Sequence, residues 1–161
     1  MSELRVGIGV DAHALADGVP LVLGGVPIEH PRGLVGHSDG DVLAHALIDA
    51  LLGAAGLEDI GALFPSGEPE WQGAASLDLL ARAYELVRDA GWVLVNADCV
   101  LIGEEPRIAQ HRDEMRARLA AAVGVEADRV AVRATTTDGL GFTGRGEGLA
   151  AHAVALVGRV D

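Results

Sequence analysis

GHSDGDVLAHALIDALLG, residues 36–53, is the stretch whose reading decides the fold. It predicts a helix: Ser38 and Asp39 are good N-caps, Asp41 puts negative charge where the helix dipole favours it, and Gly53 sits where a C′ residue ends the helix. Val42, Leu43, Ala46, Leu47, Ala50, Leu51 and Leu52 make the segment apolar enough to be buried. Into that background fall Asp41, His45 and Asp49, spaced i, i+4, i+8 on one face. One reading is a half-exposed polar edge in which His45 bonds a neighbouring carboxylate. The other makes His45 a metal ligand.

The first strand shifts the balance toward metal. Residues 4–11, LRVGIGVD, predict an extended segment in which Val6, Ile8 and Val10 alternate against the other positions. Asp11 and His13 lie two apart, so an extended chain presents both on one face. With His45 they make an Asp/His/His set. Three protein ligands with a fourth position open is the arrangement of catalytic zinc, whereas structural zinc is closed by four.

Composition narrows the functional classes. With 161 residues the chain forms one domain with a core, and with two Trp, two Phe and one Tyr that core is aliphatic. No apolar run approaches the roughly 18 residues of a membrane span, and the amino terminus has no signal-peptide pattern. Cys99 is the single cysteine, which fits a reducing cytoplasm and a small core residue. The net charge is −12, and there is no lysine. Residues 1–80 carry twelve acids against Arg5 and Arg32, while residues 81–161 carry twelve acids against ten arginines. Nucleic acid is not a partner of such a surface. A Walker-A loop and a lysine Schiff base are excluded as well. A phosphorylated ligand must be neutralised by metal ions, backbone N–H groups and a few arginines.

Residues 20–28, PLVLGGVPI, predict a short hairpin about Gly24-Gly25, followed by a loop in which His30 is solvated. His37, just before the helix, either orients a phosphate with the free N–H groups there or is a turn residue. The segment from Gly56 to Gly73 is too long for a plain connector and suggests a lid or binding loop. Residues 76–90 predict a scaffold helix stopped by Gly91, residues 92–102 a central strand, and the run up to Gly124 a helix with a solvated arginine face. A strand over 129–134 leads into Thr135, Thr136, Thr137 and Asp138, a cluster of hydroxyls and N–H groups suited to a diphosphate. GLGFTGRGEG, residues 139–148, is followed by a strand rather than a helix. It therefore reads as a bend with close backbone approach and not as a dinucleotide fingerprint. His152 reads as a satisfied strand histidine.

D-x-H, HSDGD-x-x-x-H, D-I-G…F-P, A-T-T-T and G-F-T-G-R-G-E-G occur here in this order. In these motifs the chain resembles the 2-C-methyl-D-erythritol 2,4-cyclodiphosphate synthase family, from about Arg5 to Val157. These are the cyclising enzymes of the non-mevalonate isoprenoid pathway. The resemblance implies the monofunctional form and an α+β fold: a two-layer sandwich of a mixed β-sheet with helices on one face, sheets packed around the axis of a homotrimer, active sites between neighbours. It implies Zn2+ on Asp11, His13 and His45, one per subunit, and Mg2+ or Mn2+ on Asp138 with the substrate diphosphate. Asp11, His13, His37 and Ser38 are then substrate contacts, and His37 and Thr136 support the transition state. Asp59, Ile60 and Gly61, with the loop Phe64, Pro65, Ser66, Gly67 and Glu68, hold the methylerythritol end. Gly103, Glu104, Glu105, Pro106, Arg107, Ile108 and Ala109 form the cytosine pocket. Thr135, Thr136, Thr137 and Asp138 hold the diphosphate, and Phe142 and Arg145 lie near the phosphates or the trimer axis, with Arg145 paired to Glu147.

Three positions depart from the family pattern. Ser66 stands where a carboxylate is usual, Asp138 where the metal ligand is usually Glu, and Arg107 where Lys is usual. The implied reaction is intramolecular: the 2-phosphate of a CDP-alcohol attacks the β-phosphorus and CMP leaves. A phosphohydrolase using the same three ligands to activate water is the alternative enzyme, and a trimeric isoprenoid-diphosphate binding protein the non-catalytic one.

Overall fold

Small residues at alternate positions decide how the layers meet. The structure, a computed structural model, describes residues 3–161. Strand β1 (Leu4–Asp17) turns Gly7 and Gly9 to one face and Val6, Ile8 and Val10 to the other. The glycine face is the one covered. A Cβ at Gly9 would lie 1.8 Å from the Ala46 carbonyl oxygen, and one at Gly7 would lie 2.0 Å from that of Ala50. Helix α1 (Val42–Ala54) therefore rests its backbone directly on β1. The valine face is bare, with Val6 67%, Ile8 66% and Val10 55% exposed.

Five strands form one mixed sheet: β1, β4 (Arg32–Leu34), β5 (Trp92–Ile102), β6 (Val130–Thr135) and β7 (Gly148–Arg159), in the order β4-β1-β7-β5-β6. All pairings are antiparallel except β5 with β6. The hairpin β2 (Leu21–Leu23) and β3 (Val26–Ile28) stands apart as a second sheet around the Gly24-Gly25 turn. On β7, Ala151, Ala153 and Ala155 are buried and continue the small-residue floor under α1, while His152 and Val154 are exposed on the bare face. Helices α3 (Ser76–Asp89) and α4 (Arg112–Ala122) complete the covering layer through Leu80, Val87, Met115 and Leu119, all fully buried.

Several boundaries differ from the sequence reading, each for a physical reason. β1 continues to Asp17 instead of stopping at Asp11, because β7 pairs with it as far as Ala14 and β4 takes over at Leu15. α1 starts later and ends later than expected. Asp41, not Ser38 or Asp39, is its N-cap, accepting from Ala44 N at 3.1 Å. Gly53 lies inside it. The stop is Gly56 at φ +73, with Gly56 N on Gly53 O and Leu57 N on Leu52 O, the paired bonds of a Schellman end. His30 is not solvated, since its ring accepts from Arg32 N at the start of β4. The segment after α1 contains α2 (Ile60–Leu63) and a 3-10 turn (Pro69–Trp71), and the glycine-rich bend contains α5 (Gly141–Gly144).

If the helix–strand contact rests on bare glycine, Gly9→Ala must push α1 off the sheet. It should cost about 1–3 kcal/mol or more, read as a lower urea midpoint with an unchanged slope. A midpoint equal to that of the parent chain counts against this contact.

Candidate active site

Strand and helix periodicities set the geometry. Four residues of α1 (about 6.0 Å) match two of β1 (about 6.6 Å), so Ala50 and Ala46 step along Gly7 and Gly9. One step further, the first turn of α1 comes level with Asp11 and His13, which share the glycine face. His45 meets them there. His13 Nε2 is 2.8 Å from Asp11 Oδ2, His45 Nδ1 is 3.0 Å from the same oxygen, and the two ring nitrogens are 3.2 Å apart. A tetrahedral ion at about 2.0–2.2 Å from each atom separates its ligands by roughly 3.3–3.6 Å. The triangle fits one after its edges open by roughly 0.1–0.8 Å, most along the His13–Asp11 edge. It is the one group of three or more His, Cys, Asp or Glu side chains with metal-ligating geometry among the described residues.

The other two acids of the helix motif are occupied elsewhere. Asp41 is fully buried and accepts from Gly24 N at 2.9 Å and Gly25 N at 2.7 Å, tying the β2–β3 turn to the helix start. Burial pushes its carboxyl up to about 6 against those N–H donors. Asp49 accepts from Ile60 N at 2.8 Å, which holds the Asp59-Ile60-Gly61 turn beside α1. Burial also raises Asp49.

A cavity of about 310 Å³ opens over the triad, walled by His37, Ser38, Ile60, Gly61, Phe64, Ser66, Trp71 and Leu79. His37 Nε2 donates to Glu68 O at 3.2 Å, fastening the 64–68 loop to the approach of α1. Phe64 is buried edge-to-face against Trp71, with ring centres 5.0 Å apart. Pro65, Gly67 and Glu68 are exposed, and Asp59 caps α2 by accepting from Ala62 N. Trp71 and Leu79 were missed by sequence reasoning, because neither belongs to a motif. Ser76 was missed too. It opens α3, the helix read as scaffold, yet its hydroxyl is 2.8 Å from His45 Nε2.

The remaining expected residues gather elsewhere. Gly103, Glu104, Pro106, Arg107, Ile108, Ala109, Thr135 and Thr136 line a separate cavity of about 300 Å³ with Arg112. Ile108 is buried in its wall, and Glu104 accepts from Gly139 N at 3.4 Å. Thr136 Oγ1 donates to Asp138 Oδ1 at 3.2 Å, and Asp138 holds φ +52. The Thr137 hydroxyl is engaged with Leu140 O at 2.6 Å and Thr143 Oγ1 at 3.0 Å. Glu105 and Arg145 border a third hollow with Arg32. Arg145 pairs with Glu147 in a fork at 3.1 and 3.2 Å, both side chains exposed, and Phe142 lies exposed on α5. Register aligns Ala12, Ala150, Ile102 and Thr135 across four strands. The threonine cluster thus lies three strand spacings, about 14 Å, from the triad.

Electrostatics bind the triad together when no cation does. Burial would raise Asp11, but hydrogen bonds from His13 and His45 overcome it and hold the carboxyl down at about 2. The hydrogen bond to Asp11 raises His13 above its ordinary 6.5 despite burial. These are two views of one pair. In metal-free protein the lowered Asp11 contributes stability above its ordinary 3.8 and loses it as pH falls through about 2. The raised His13 contributes below 6.5 and loses it as pH rises through its folded value. The pair therefore stabilises most between about 3.8 and 6.5. Asp11→Asn should flatten that window in urea titrations run with chelator; an unaltered pH profile speaks against the pairing.

The whole chain has relatives with the same layout. It is 60% identical to a 2-C-methyl-D-erythritol 2,4-cyclodiphosphate synthase of Rubrobacter xylanophilus, covering 99% of this chain and 98% of that one. A solved 2C-methyl-D-erythritol-2,4-cyclodiphosphate synthase in a CDP-bound form superposes with a TM-score of 0.87 at 40% identity, over 96% of this chain and all of the other. The bifunctional IspDF of Campylobacter jejuni gives a TM-score of 0.95 at 42% identity, over 99% of this chain and 43% of that larger one. The YgbB family model matches residues 4–158. This chain belongs to the YgbB family.

Proposed function

We propose that the chain is a metal-dependent lyase that converts 4-diphosphocytidyl-2-C-methyl-D-erythritol 2-phosphate to 2-C-methyl-D-erythritol 2,4-cyclodiphosphate with release of CMP. The observation that carries this reading is the Asp11–His13–His45 triangle at the base of the cavity that His37, Ser38 and the 60–66 segment enclose. The full-length likeness to named synthases supports it.

When bound at the triad, zinc supplies Lewis-acid polarisation of a phosphoryl oxygen. When bound through the exposed Asp138 and substrate phosphates, magnesium or manganese supplies further charge neutralisation, a mode that needs only one protein carboxylate. The nucleophile is already an anion, so the protein's own task is alignment. The Ser38 hydroxyl and the His37 ring stand at the cavity wall to hold phosphate oxygens. The Ile60–Gly61 segment at the cavity wall takes the polyol hydroxyls, and the Phe64–Trp71 wall excludes water from that end. Ser66, in place of a carboxylate, leaves this grip weaker by about the 0.5–1.5 kcal/mol of one hydrogen bond. At the second cavity the Gly103–Ala109 backbone receives the cytosine, and Thr136 stabilises the diphosphate as charge develops.

Separation of the two cavities supports assembly. Asp11 and His13 face α1, while Thr135 lies in register with Ala12 on the opposite face. A homotrimer packed through the bare β1–β7 face would bring one subunit's triad to a neighbour's threonine cluster. Burial of Val6, Ile8, Val10 and Val154 drives that contact. The lysine-free acidic surface and the absence, among the described residues, of a helix able to cross a membrane fit a cytoplasmic small-molecule enzyme.

Two measurements test these proposals. With the CDP-alcohol 2-phosphate in 18O-labelled water, phosphorus NMR should show the cyclic diphosphate free of label and an equivalent of CMP. Label on the product's phosphorus identifies a hydrolase, and tight binding without turnover identifies a binding protein. His45→Ala should abolish product. Ile8→Asp should convert a trimer to monomer by light scattering and remove activity while zinc content per folded chain stays; an active monomer refutes the shared site.

A further inference from the structure

His45 can hold a cation through Nδ1 only if that nitrogen keeps its lone pair. The neutral ring must then carry its proton on Nε2 and place it on an acceptor. Two hydroxyls lie within reach, Ser76 Oγ and Ser38 Oγ, each at 2.8 Å. They are not equivalent. The Ser76 hydroxyl hydrogen goes to Asp39 Oδ1, and its backbone N–H goes to Asp39 Oδ2 at 2.9 Å, so one carboxylate grips the residue twice. Asp39 is itself oriented by Asp41 N at 3.1 Å. With its own hydrogen committed, Ser76 Oγ offers His45 only lone pairs. Ser38 has no such constraint. Its hydroxyl is 3.2 Å from Ser76 Oγ and borders the cavity, free to turn toward a ligand.

We infer that Asp39 and Ser76 are positioning residues for the metal centre, a carboxylate–serine–histidine chain that sets which nitrogen of His45 faces the ion and fixes the plane of its ring. This rests on the proposed metal role of Asp11, His13 and His45. Ser76 is fully buried, so no solvent molecule competes for the Nε2 proton. The chain also carries part of the Asp39 charge to the ring through two hydrogen bonds, which makes Nδ1 a better donor to a cation. It leaves Ser38 available for substrate, because His45 does not depend on that hydroxyl. The arrangement links the start of α3 to the ligand on α1, so the helix is more than scaffold.

Zinc affinity measured by competition with a chromophoric chelator tests this at fixed pH. Wild-type protein that takes up no zinc at this site overturns the metal reading itself. Given that it binds, Ser76→Ala should weaken zinc by about 10–100-fold and Asp39→Asn by several-fold. The Asp39→Asn loss should vanish in the Ser76→Ala background, since Asp39 acts through Ser76. In the zinc-loaded protein the His45 Nε2–H proton resonance should move upfield in Asp39→Asn, a variant that alters no atom touching His45. Wild-type affinity in Ser76→Ala, fully additive losses, or an unmoved proton resonance each overturns the chain. Should Ser76→Ala not fold, Asp39→Asn alone decides by the same affinity and resonance.

Discussion

Everything at the candidate site depends on how closely α1 approaches β1. With side chains between them, a helix and a sheet stand further apart than this. Gly7 and Gly9 remove the side chains on the strand, and Ala46, Ala50 and Ala54 minimise them on the helix, so carbonyl oxygens of α1 lie where Cβ atoms would be. The consequence is chemical as well as steric. Asp11 and His13 have short reach, and only at this separation do their donor atoms come within 3.2 Å of His45 Nδ1. A larger residue at Gly9 would therefore alter the triad without touching it.

The clustering of Asp11, His13 and His45 was legible because each member follows a simple period: i, i+2 on a strand and a lone imidazole in an apolar helix. The strands over 92–102 and near 130 were legible from β-branched runs, and the stops at Gly91 and Gly124 from position. The start of α1 was not. Ser38 and Asp39 are as good N-caps as Asp41, and what selects Asp41 is the Gly24-Gly25 turn, whose N–H groups need a buried acceptor. The buried face of β1 was not legible either. Alternating Val6, Ile8 and Val10 mark a strand, but the glycine face is the buried one, because the partner is a helix backbone and not side chains. Ser76 could be recognised only from the fold, since 31 residues separate it from His45. His30 is the converse, a loop residue by context that β4 draws into structure.

The carboxylates near the site show why an acidic chain can face a polyanion. Asp41, Asp39 and Asp49 each accept backbone N–H groups, at Gly24, Gly25, Ala44, Ser76 and Ile60. Those charges organise loops around α1 and turn away from the cavity. Asp11 alone presents a carboxylate oxygen to it, and that oxygen is shared by two imidazoles. The positive charge a phosphate requires has no lysine to supply it, so the proposed metals are the natural source. Burial of Asp41 is tolerable for the same reason that unpaired N–H groups are not: three donors compensate the desolvation of one acceptor.

Division of the site follows from the sheet. β1 carries the triad on the face covered by helices, and β6 ends in the threonine cluster at the far side of β7 and β5. A diphosphate held by both would have to cross the sheet or meet a second copy. The sheet is closed to it, because Ala151 and Ala153 pack beneath α1 without a passage. The bare face, by contrast, is continuous from Leu4 to Val10 and across to Val154, an apolar surface that water favours covering. The same alternation that gives α1 its glycine floor therefore leaves the valines outside. Helix docking and the proposed trimer contact are two faces of one strand, and a shift of register by one residue would destroy both.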